Sequence, residues 1–142
     1  MSEKNCTFVP YLPHKDIMTA HEALKTYFGY DDFRPLQEEI IQSVLDGRDT
    51  LALMPTGGGK SLCFQVPTMA KGGLCLVITP LIALMKDQVE NLRQRDIHAA
   101  AIYTGMTYDQ QKAALDNCQW GPYHFLYVSP ERLESEEFHE RL

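Results

Sequence analysis

The chain has 142 residues, 44% of them hydrophobic and 23% charged, and a formal net charge of −6. This composition fits one modest soluble domain, and no apolar run approaches the roughly 20 residues that a membrane-spanning helix needs. The acidic balance argues against a broad nucleic-acid-binding surface but is compatible with a local groove. The N-terminus lacks the pattern of a secretory signal, so a cytosolic or nuclear location is the default expectation.

The cysteines and histidines show no metal-binding pattern. The four cysteines form no C-x-x-C pair, and the five histidines lack ligand spacing with one another. Cys63 and Cys75 lie in apolar segments, so they are predicted to be small core residues.

The first predicted element is a helix with a clear start and end. Residues 1–18 have no clear period and are predicted to be a lead-in to a single domain over residues 19–142. Thr19 followed by Glu22 fits a capping box that starts the helix. Apolar residues at helical spacing then extend it to Gly29.

A second helix and a strand follow. Pro35 suits the first turn of a helix because its missing N–H needs no partner there, and Gly47 closes that helix. Residues 50–54 form a short apolar run, which predicts a buried strand. This strand enters a glycine-rich turn, and a helix is then predicted over about residues 60–70.

The remaining sequence alternates strands with helices. Such alternation implies an α/β fold with a parallel sheet covered by helices on both faces. Ligands of these sheets bind beyond the carboxyl ends of the strands. The predicted strands are at 74–78, 99–103 and 125–128, with helices at 81–92 and from Thr107 to about Asn117, and a final turn or helix from Pro130.

The string MPTGGGKS at residues 54–61 has the composition of a phosphate-binding loop. Glycines let backbone N–H groups approach phosphate oxygens, and the positive end of the following helix points at the same place. Lys60 can reach the β- and γ-phosphates of a nucleotide, as a catalytic residue, and the Ser61 hydroxyl can ligate Mg²⁺. The strict motif G-x-x-x-x-G-K-[ST] fails at Met54, and the alternative is a glycine-rich turn with a surface lysine. The predicted nucleotide contacts here are Thr56, Gly57, Gly58, Gly59, Lys60 and Ser61.

Three further strings, together with MPTGGGKS, resemble the motifs of RecQ helicases in their order and spacing. They are FGYDDFRPLQ at 28–37, VITPLIALMKDQV at 77–89 and FLYVSPERL at 125–133. The resemblance covers about residues 20–133 and implies the N-terminal part of the first RecA-like, P-loop NTPase domain of an ATP-dependent DNA helicase. It also implies the use of ATP and Mg²⁺, single-stranded and branched DNA as partners, and a role in repair and recombination. The implied location is cytoplasmic and nucleoid-associated in a bacterium, or nuclear in a eukaryote.

The resemblance implies that three residues before the loop hold the adenine base. Tyr30 and Arg34 would stack on either side of the base, and Gln37 would hydrogen-bond its edge. The chemistry agrees, because aromatic rings and guanidinium planes stack on bases and an amide offers both a donor and an acceptor. The alternative is that Tyr30 is a core residue, Arg34 a surface ion-pair partner and Gln37 an exposed helix residue.

The resemblance also implies DNA contacts after two of the strands. Backbone amides and hydroxyls at strand ends can hold sugar and phosphate groups without reading bases. The implied contacts are Thr79, Pro80, Leu81 and Lys86 after one strand, and Ser129, Pro130, Glu131 and Arg132 after another.

Simpler interpretations of these residues stay open. The side chains of Leu81, Leu84 and Met85 are predicted to pack in the core even if their backbone faces DNA. Lys86 alternatively lies on a solvated helix face, and Glu131 and Arg132 alternatively pair with each other or cap a helix.

Hydrolysis of ATP requires carboxylates that hold Mg²⁺ and orient water, and usually an arginine. In RecQ helicases the carboxylates lie in an Asp-Glu-x-His box, which this sequence lacks, and the arginine comes from a second motor domain. The chain is therefore expected to be a truncated motor domain, incomplete at its C-terminal side, that binds nucleotide weakly and hydrolyses it negligibly. Its sheet is expected to have an exposed edge.

Two other functions stay open at this point. A small P-loop kinase has a similar length, but the arginines of this sequence do not cluster in a lid-like loop. A non-catalytic nucleotide-binding module with a vestigial loop is the other alternative, and intact Lys60 and Ser61 argue against it.

Overall fold

A three-stranded parallel sheet forms the centre of the structure, a computed structural model that describes residues 17–55, 57 and 59–141. The predicted lead-in lies outside the described residues except for positions 17 and 18. None of the described helices has the length and apolar character needed to cross a bilayer. In chain order the elements are α1 (Ala20–Ala23), a π-helical segment (Leu24–Phe28), α2 (Gln37–Leu45), α3 (Leu62–Lys71), β1 (Cys75–Ile78), α4 (Ile82–Gln94), β2 (Ala99–Ile102), α5 (Tyr108–Trp120), β3 (Phe125–Val128), a 3-10 helix (Pro130–Glu134) and α6 (Glu136–Arg141).

Two helices begin at the predicted capping boxes. The Thr19 hydroxyl accepts a hydrogen bond from the Glu22 N–H at 3.1 Å, and the Glu22 carboxylate accepts one from the Thr19 N–H at 2.7 Å. Thr107 and Gln110 make the same exchange at 3.2 and 3.0 Å. Each box satisfies two backbone donors near a helix start, and this local chemistry explains why both starts were predictable. Gly29 ends the first helix as predicted, with φ of 75°.

The second helix starts at Gln37, so the prediction that Pro35 occupies its first turn is wrong. Leu36 has a left-handed backbone with φ of 70°, which prevents a continuous helix through this position. The Gln37 side chain stabilises the turn, since its Oε1 accepts a hydrogen bond from the Arg34 N–H at 2.8 Å. At the other end, the helix stops just before Gly47, as predicted.

The strand β3 is the centre of the sheet and pairs in parallel with β1 on one side and β2 on the other. Phe125 lies in register with Cys75 of β1 and with Ala99 of β2, and every residue of β3 is buried. The prediction of an α/β fold with a parallel sheet is confirmed. The three strands match those predicted after residue 70 to within one residue at either end.

Helices lie on both faces of the sheet, as predicted. Phe125 and Tyr127 of β3 pack in the core formed with α1 to α4, and the other two residues of β3 pack with α5 and α6. The helices α5 and α6 leave one face of β1 partly uncovered. On this face Leu76 and Ile78 are 40% and 49% exposed. β1 is one of the two edge strands of the described sheet, so the prediction that helices cover both faces is incomplete for the face that carries these two residues.

The apolar run at residues 50–54 does not form the predicted strand. Leu51 and Leu53 are 87% and 81% exposed. A strand requires a neighbour to pair its N–H and C=O groups, and in the described part of the chain no strand pairs with this run. An apolar run is therefore not sufficient to form a strand, because the segment also needs a neighbouring strand with which to pair its backbone.

Two cysteines are packed as predicted. Cys63 is buried, and Cys75 packs against the larger core cluster. Burial raises the pKa of both thiols, and it raises that of Cys118 to about 12. Thiols in such surroundings stay protonated and are poor nucleophiles at neutral pH.

Replacing Val128 with alanine should destabilise the protein far more than replacing Ile78. The two residues are partners in the sheet register, but Val128 is fully buried while Ile78 is 49% exposed. We expect a loss of about 2 kcal/mol in the free energy of unfolding for Val128→Ala and less than about 1 kcal/mol for Ile78→Ala. Urea denaturation monitored by circular dichroism measures both, and equal losses would show that β1 is covered in solution.

Candidate functional site

A cleft of about 590 Å³ lies beside the glycine-rich loop. Its walls come from the turn before α2, the loop itself, the start of α3 and the middle of α4. The cleft brings together most of the residues predicted to contact a nucleotide. Two of the predicted contacts, Thr56 and Gly58, lie outside the described residues. Those that line the cleft are Tyr30, Arg34, Gln37, Gly57, Gly59, Lys60 and Ser61.

The described part of the loop has a backbone conformation and a charge that are compatible with phosphate binding. Gly57 and Gly59 have φ of 80° and 77°, in the left-handed region that costs residues with a Cβ about 1–2 kcal/mol. The helix α3 begins directly after Ser61 and has no acidic residue in its first turn. Its positive dipole end and the exposed Lys60 therefore act together, without a carboxylate from that turn to offset them.

The Gln37 side chain fastens α2 to the loop from the buried side. It is only 1% exposed, so the interpretation of an exposed helix residue is wrong. Its Nε2 donates to the Gly59 carbonyl at 3.1 Å, while its Oε1 accepts from the Arg34 N–H at 2.8 Å. A Cβ added at Gly59 would lie 2.2 Å from the Gln37 Nε2. The loop can approach Gln37 this closely because residue 59 has no side chain.

The two residues predicted to stack on a base lie at the open side of the cleft. Tyr30 is 48% exposed, so the alternative that it is a core residue is wrong. The Arg34 Nη1 donates a hydrogen bond to the Gly57 carbonyl at 2.6 Å, so the guanidinium binds the loop backbone rather than a surface carboxylate. Both side chains can reach a ligand in the cleft, and their contact with a base stays a prediction.

Sequence reasoning missed a polar network behind Ser61. The Gln88 Nε2 donates to the Ser61 Oγ at 2.7 Å, and the Gln88 Oε1 accepts from the Tyr127 hydroxyl at 2.7 Å. Tyr127 is 1% exposed, and burial raises its pKa to about 12, so the hydroxyl keeps its proton at neutral pH. Gln88 lies within the string at 77–89 that resembles a RecQ motif, but the sequence does not indicate its partners, which lie 27 and 39 residues away.

The candidate DNA contacts lie together at the carboxyl ends of two neighbouring strands. Thr79 follows β1 and Ser129 follows β3, and the Thr79 N–H donates to the Val128 carbonyl at 3.1 Å. The side chain of Leu81 is 60% exposed and that of Leu84 is 42% exposed, so the prediction that they pack in the core is wrong. Met85, predicted with them, is fully buried.

The remaining candidate DNA contacts differ in their surroundings. The Lys86 Nζ lies 5.0 Å from the centre of the Tyr103 ring, a cation–π distance. Pro130 and Glu131 are exposed and Arg132 is half-buried on the 3-10 helix that follows β3. Parallel strands place their carboxyl ends at one edge of the sheet, and this is why residues from strings fifty positions apart meet here.

The surroundings of Ser61 are compatible with its predicted role as a ligand of Mg²⁺. Among the described residues, no group of three or more His, Cys, Asp or Glu side chains is arranged to hold a metal ion. The Ser61 hydroxyl lines the cleft beside Lys60, and the Gln88 amide engages one of its two lone pairs. Mg²⁺ is commonly held by few protein oxygens together with phosphates and waters, and a free lone pair next to a phosphate-binding loop suits that arrangement.

The sequence profile of DEAD/DEAH box helicases matches residues 34–141. The ATP-dependent DNA helicase RecQ of Haemophilus influenzae is 46% identical over 120 residues, which are 84% of this chain and 19% of that protein. RecQ of Synechocystis sp. is 44% identical over 121 residues, covering 85% and 25%, respectively. The ATP-dependent helicase SGS1 of Saccharomyces cerevisiae is 40% identical over 118 residues, covering 80% and 8%. The chain thus spans a quarter or less of the length of these relatives.

A solved structure shares the fold. The crystal structure of a hypothetical ATP-dependent RNA helicase from Sulfolobus tokodaii superposes with a TM-score of 0.65 and is 23% identical. The match covers 87% of this chain and 37% of that one. At this identity the likeness concerns the fold alone, and it confirms the predicted RecA-like α/β class.

Gly59→Ala should be more harmful than Gly57→Ala, although both positions have a left-handed backbone. The Gly57 position has nothing within 4 Å of an added Cβ, whereas at Gly59 the Cβ would meet the Gln37 amide at 2.2 Å. We expect Gly57→Ala to cost about 1 kcal/mol of stability and Gly59→Ala at least about 1 kcal/mol more. Thermal unfolding measures the difference.

A double variant separates the clash from the backbone strain. In a Gln37→Ala background the excess cost of Gly59→Ala over Gly57→Ala should disappear, because the opposing amide is gone. An unchanged excess would show that Gln37 does not hold the loop.

Proposed function

We propose that the chain forms the ATP-binding, N-terminal part of the first motor domain of a RecQ-type DNA helicase. The premise is that the chain belongs to the DEAD/DEAH box helicase family. The similarity to proteins named as RecQ helicases in bacteria supports this choice within the family. The whole protein would use ATP hydrolysis to unwind duplex DNA in repair and recombination, acting on single-stranded and branched DNA.

The observation that carries the proposal is that one cleft collects chemistry for a base and chemistry for phosphates. Tyr30 and Arg34 offer two flat surfaces for a base, and Lys60 and Ser61 line the same cleft with polar groups for phosphates. The volume of about 590 Å³ lies within the range of roughly 300–1,000 Å³ typical of small-molecule sites. An adenine nucleotide satisfies both halves. The Arg34 guanidinium can stack on the base while one of its N–H groups still bonds Gly57.

Two groups of this chain would act on the phosphates of bound ATP. The Lys60 ammonium would neutralise charge on the β- and γ-phosphates. Backbone N–H groups of the loop would donate hydrogen bonds to the phosphate oxygens. The Ser61 hydroxyl would contribute one oxygen ligand to Mg²⁺, which offsets phosphate charge when it is bound. The role of Lys60 is therefore to stabilise charge and to position the phosphates rather than to transfer a proton.

The described cleft lacks the carboxylate pair that hydrolysis requires. Among the described residues that line it, Asp32 is the acidic one, and it lies in sequence between Tyr30 and Arg34 rather than beside Ser61. A water molecule next to the phosphates would have no base to orient it. We infer that this chain by itself holds nucleotide without turning it over at an appreciable rate.

We further propose that DNA binds along the carboxyl ends of β1 and β3. Thr79 places a hydroxyl and backbone groups at this edge, and the exposed Leu81 offers an apolar surface beside it. Ser129, predicted as a DNA contact, is only 4% exposed and its hydroxyl is buried, so it does not present that hydroxyl to a ligand. Contacts of this kind suit a single strand held by its backbone without base readout. The proposed contacts are Thr79, Pro80, Leu81 and Lys86, with Pro130, Glu131 and Arg132.

Lys60→Ala should weaken ATP binding by at least about tenfold, because an ion pair with phosphate in a partly desolvated cleft contributes roughly 1.5–3 kcal/mol. Fluorescence titration with a labelled ATP analogue measures the affinity. Lys112→Ala is the matched control, since Lys112 lies on α5 and outside the cleft lining. An unchanged affinity in Lys60→Ala, or no binding by the unaltered chain, would contradict the proposal.

The unaltered chain should show negligible ATP turnover, with or without single-stranded DNA, under conditions where the titration shows bound nucleotide. Phosphate release measured at saturating ATP tests this. Robust DNA-stimulated turnover that is lost in Lys60→Ala would mean that groups in this chain supply the missing base.

A further inference from the structure

The Gln88 side chain joins three elements at the back of the cleft. It projects from α4, donates to the Ser61 Oγ at 2.7 Å and accepts from the Tyr127 hydroxyl of β3 at 2.7 Å. The Nε2 of Gln65 on α3 approaches its Oε1 more weakly, at 3.4 Å. Gln88 is half-buried and these contacts engage both ends of its amide.

The two strong hydrogen bonds of Gln88 serve different needs. Tyr127 is 1% exposed, so its hydroxyl requires a partner inside the protein to avoid a desolvation penalty. Ser61 lines the cleft and is only half-buried, so water could satisfy its hydroxyl equally well. The Ser61 hydroxyl therefore does not need the hydrogen bond from Gln88 to avoid a desolvation penalty. The effect of that hydrogen bond is to select one orientation of the hydroxyl.

We propose that Gln88 is a positioning residue that holds the Ser61 hydroxyl ready to ligate the Mg²⁺ that accompanies a bound nucleotide. This inference rests on the proposed function, because it concerns the same cleft. A hydroxyl oxygen has two lone pairs and one hydrogen. The Gln88 Nε2 takes one lone pair, which leaves the other for the metal ion and the hydrogen for a phosphate or carboxylate oxygen.

The expected loss of nucleotide affinity follows from the rotamer freedom of Ser61 that the hydrogen bond removes. A free serine side chain occupies three staggered rotamers, and a fixed donor selects one before the ligand arrives. Loss of that selection, together with one uncharged hydrogen bond, predicts a three- to tenfold loss of affinity, to order of magnitude. The loss should appear only when Mg²⁺ is present, because the phosphate contacts of Lys60 do not involve Gln88.

The test compares nucleotide affinity with and without the metal ion. Gln88→Met keeps the length of the side chain and removes both hydrogen bonds. A labelled ATP analogue is titrated into the whole chain in Mg²⁺ and again in EDTA. We expect Gln88→Met to weaken binding about three- to tenfold in Mg²⁺ and to leave it unchanged in EDTA. Gln94→Met is the matched control, since Gln94 lies on the same helix and its side chain bonds Glu90 on the exposed surface, outside the cleft lining.

Two additional variants separate positioning from structural damage. In a Ser61→Ala background, Gln88→Met should have no further effect on affinity in Mg²⁺, because the hydroxyl on which Gln88 acts is gone. Gln88→Met combined with Tyr127→Phe removes the Tyr127 hydroxyl that would otherwise lose its Gln88 partner, so it should restore stability to thermal unfolding. The double variant should still show the loss in Mg²⁺.

Each outcome of the titration leads to one conclusion. An equal loss in Mg²⁺ and EDTA, an unchanged affinity in Mg²⁺, or a loss that persists without the Ser61 hydroxyl would overturn the positioning role. Nucleotide binding by the unaltered chain that gains nothing from Mg²⁺ would overturn it as well, while leaving the proposed function intact. Absence of binding in both buffers would instead refute the proposed function, and the role of Gln88 with it.

Discussion

The hydrogen bond from the Gln37 amide to the Gly59 carbonyl is the contact on which the nucleotide cleft depends. The apolar run before the loop has no strand partner in the described sheet, so sheet pairing does not hold the loop in place. Gln37 holds it from the buried side, and Arg34 binds the Gly57 carbonyl from the exposed side. A buried amide that lost its acceptor would cost about 1–3 kcal/mol. This dependence accounts for a glycine at position 59, where a Cβ would take the space of the amide.

The helix α4 connects the two regions to which we assign function. Its first turn follows Leu81 at the carboxyl edge of the sheet, and Gln88 at its midpoint bonds Ser61 in the cleft. Its buried side chains Met85, Val89 and Leu92 anchor it in the larger core. A helix packed in this way moves as a unit, so the candidate DNA surface and the phosphate loop share one rigid support.

Local charge, rather than net charge, decides what the cleft can bind. The chain carries a formal charge of −6, which on its own argues against a polyanionic ligand. Around the loop, however, the exposed Lys60 and the start of α3, which has no side-chain cap and no acidic residue in its first turn, favour an anion. Electrostatic attraction falls off within about one Debye length, roughly 8–10 Å at physiological salt. Carboxylates on distant helices therefore do little to oppose it.

The sequence by itself determined the features that depend on neighbours along the chain. The capping boxes at Thr19 and Thr107 and the strands after residue 70 follow from side chains within a few residues of one another, whose chemistry is local. The tertiary structure decided the rest. Whether the run at 50–54 becomes a strand depends on a partner far away in sequence, and so does the network of Gln88, whose bonds close only when α3, α4 and β3 pack together. Hydrogen-bond pairing across such distances leaves no periodic pattern in the sequence, and only the folded chain reveals it.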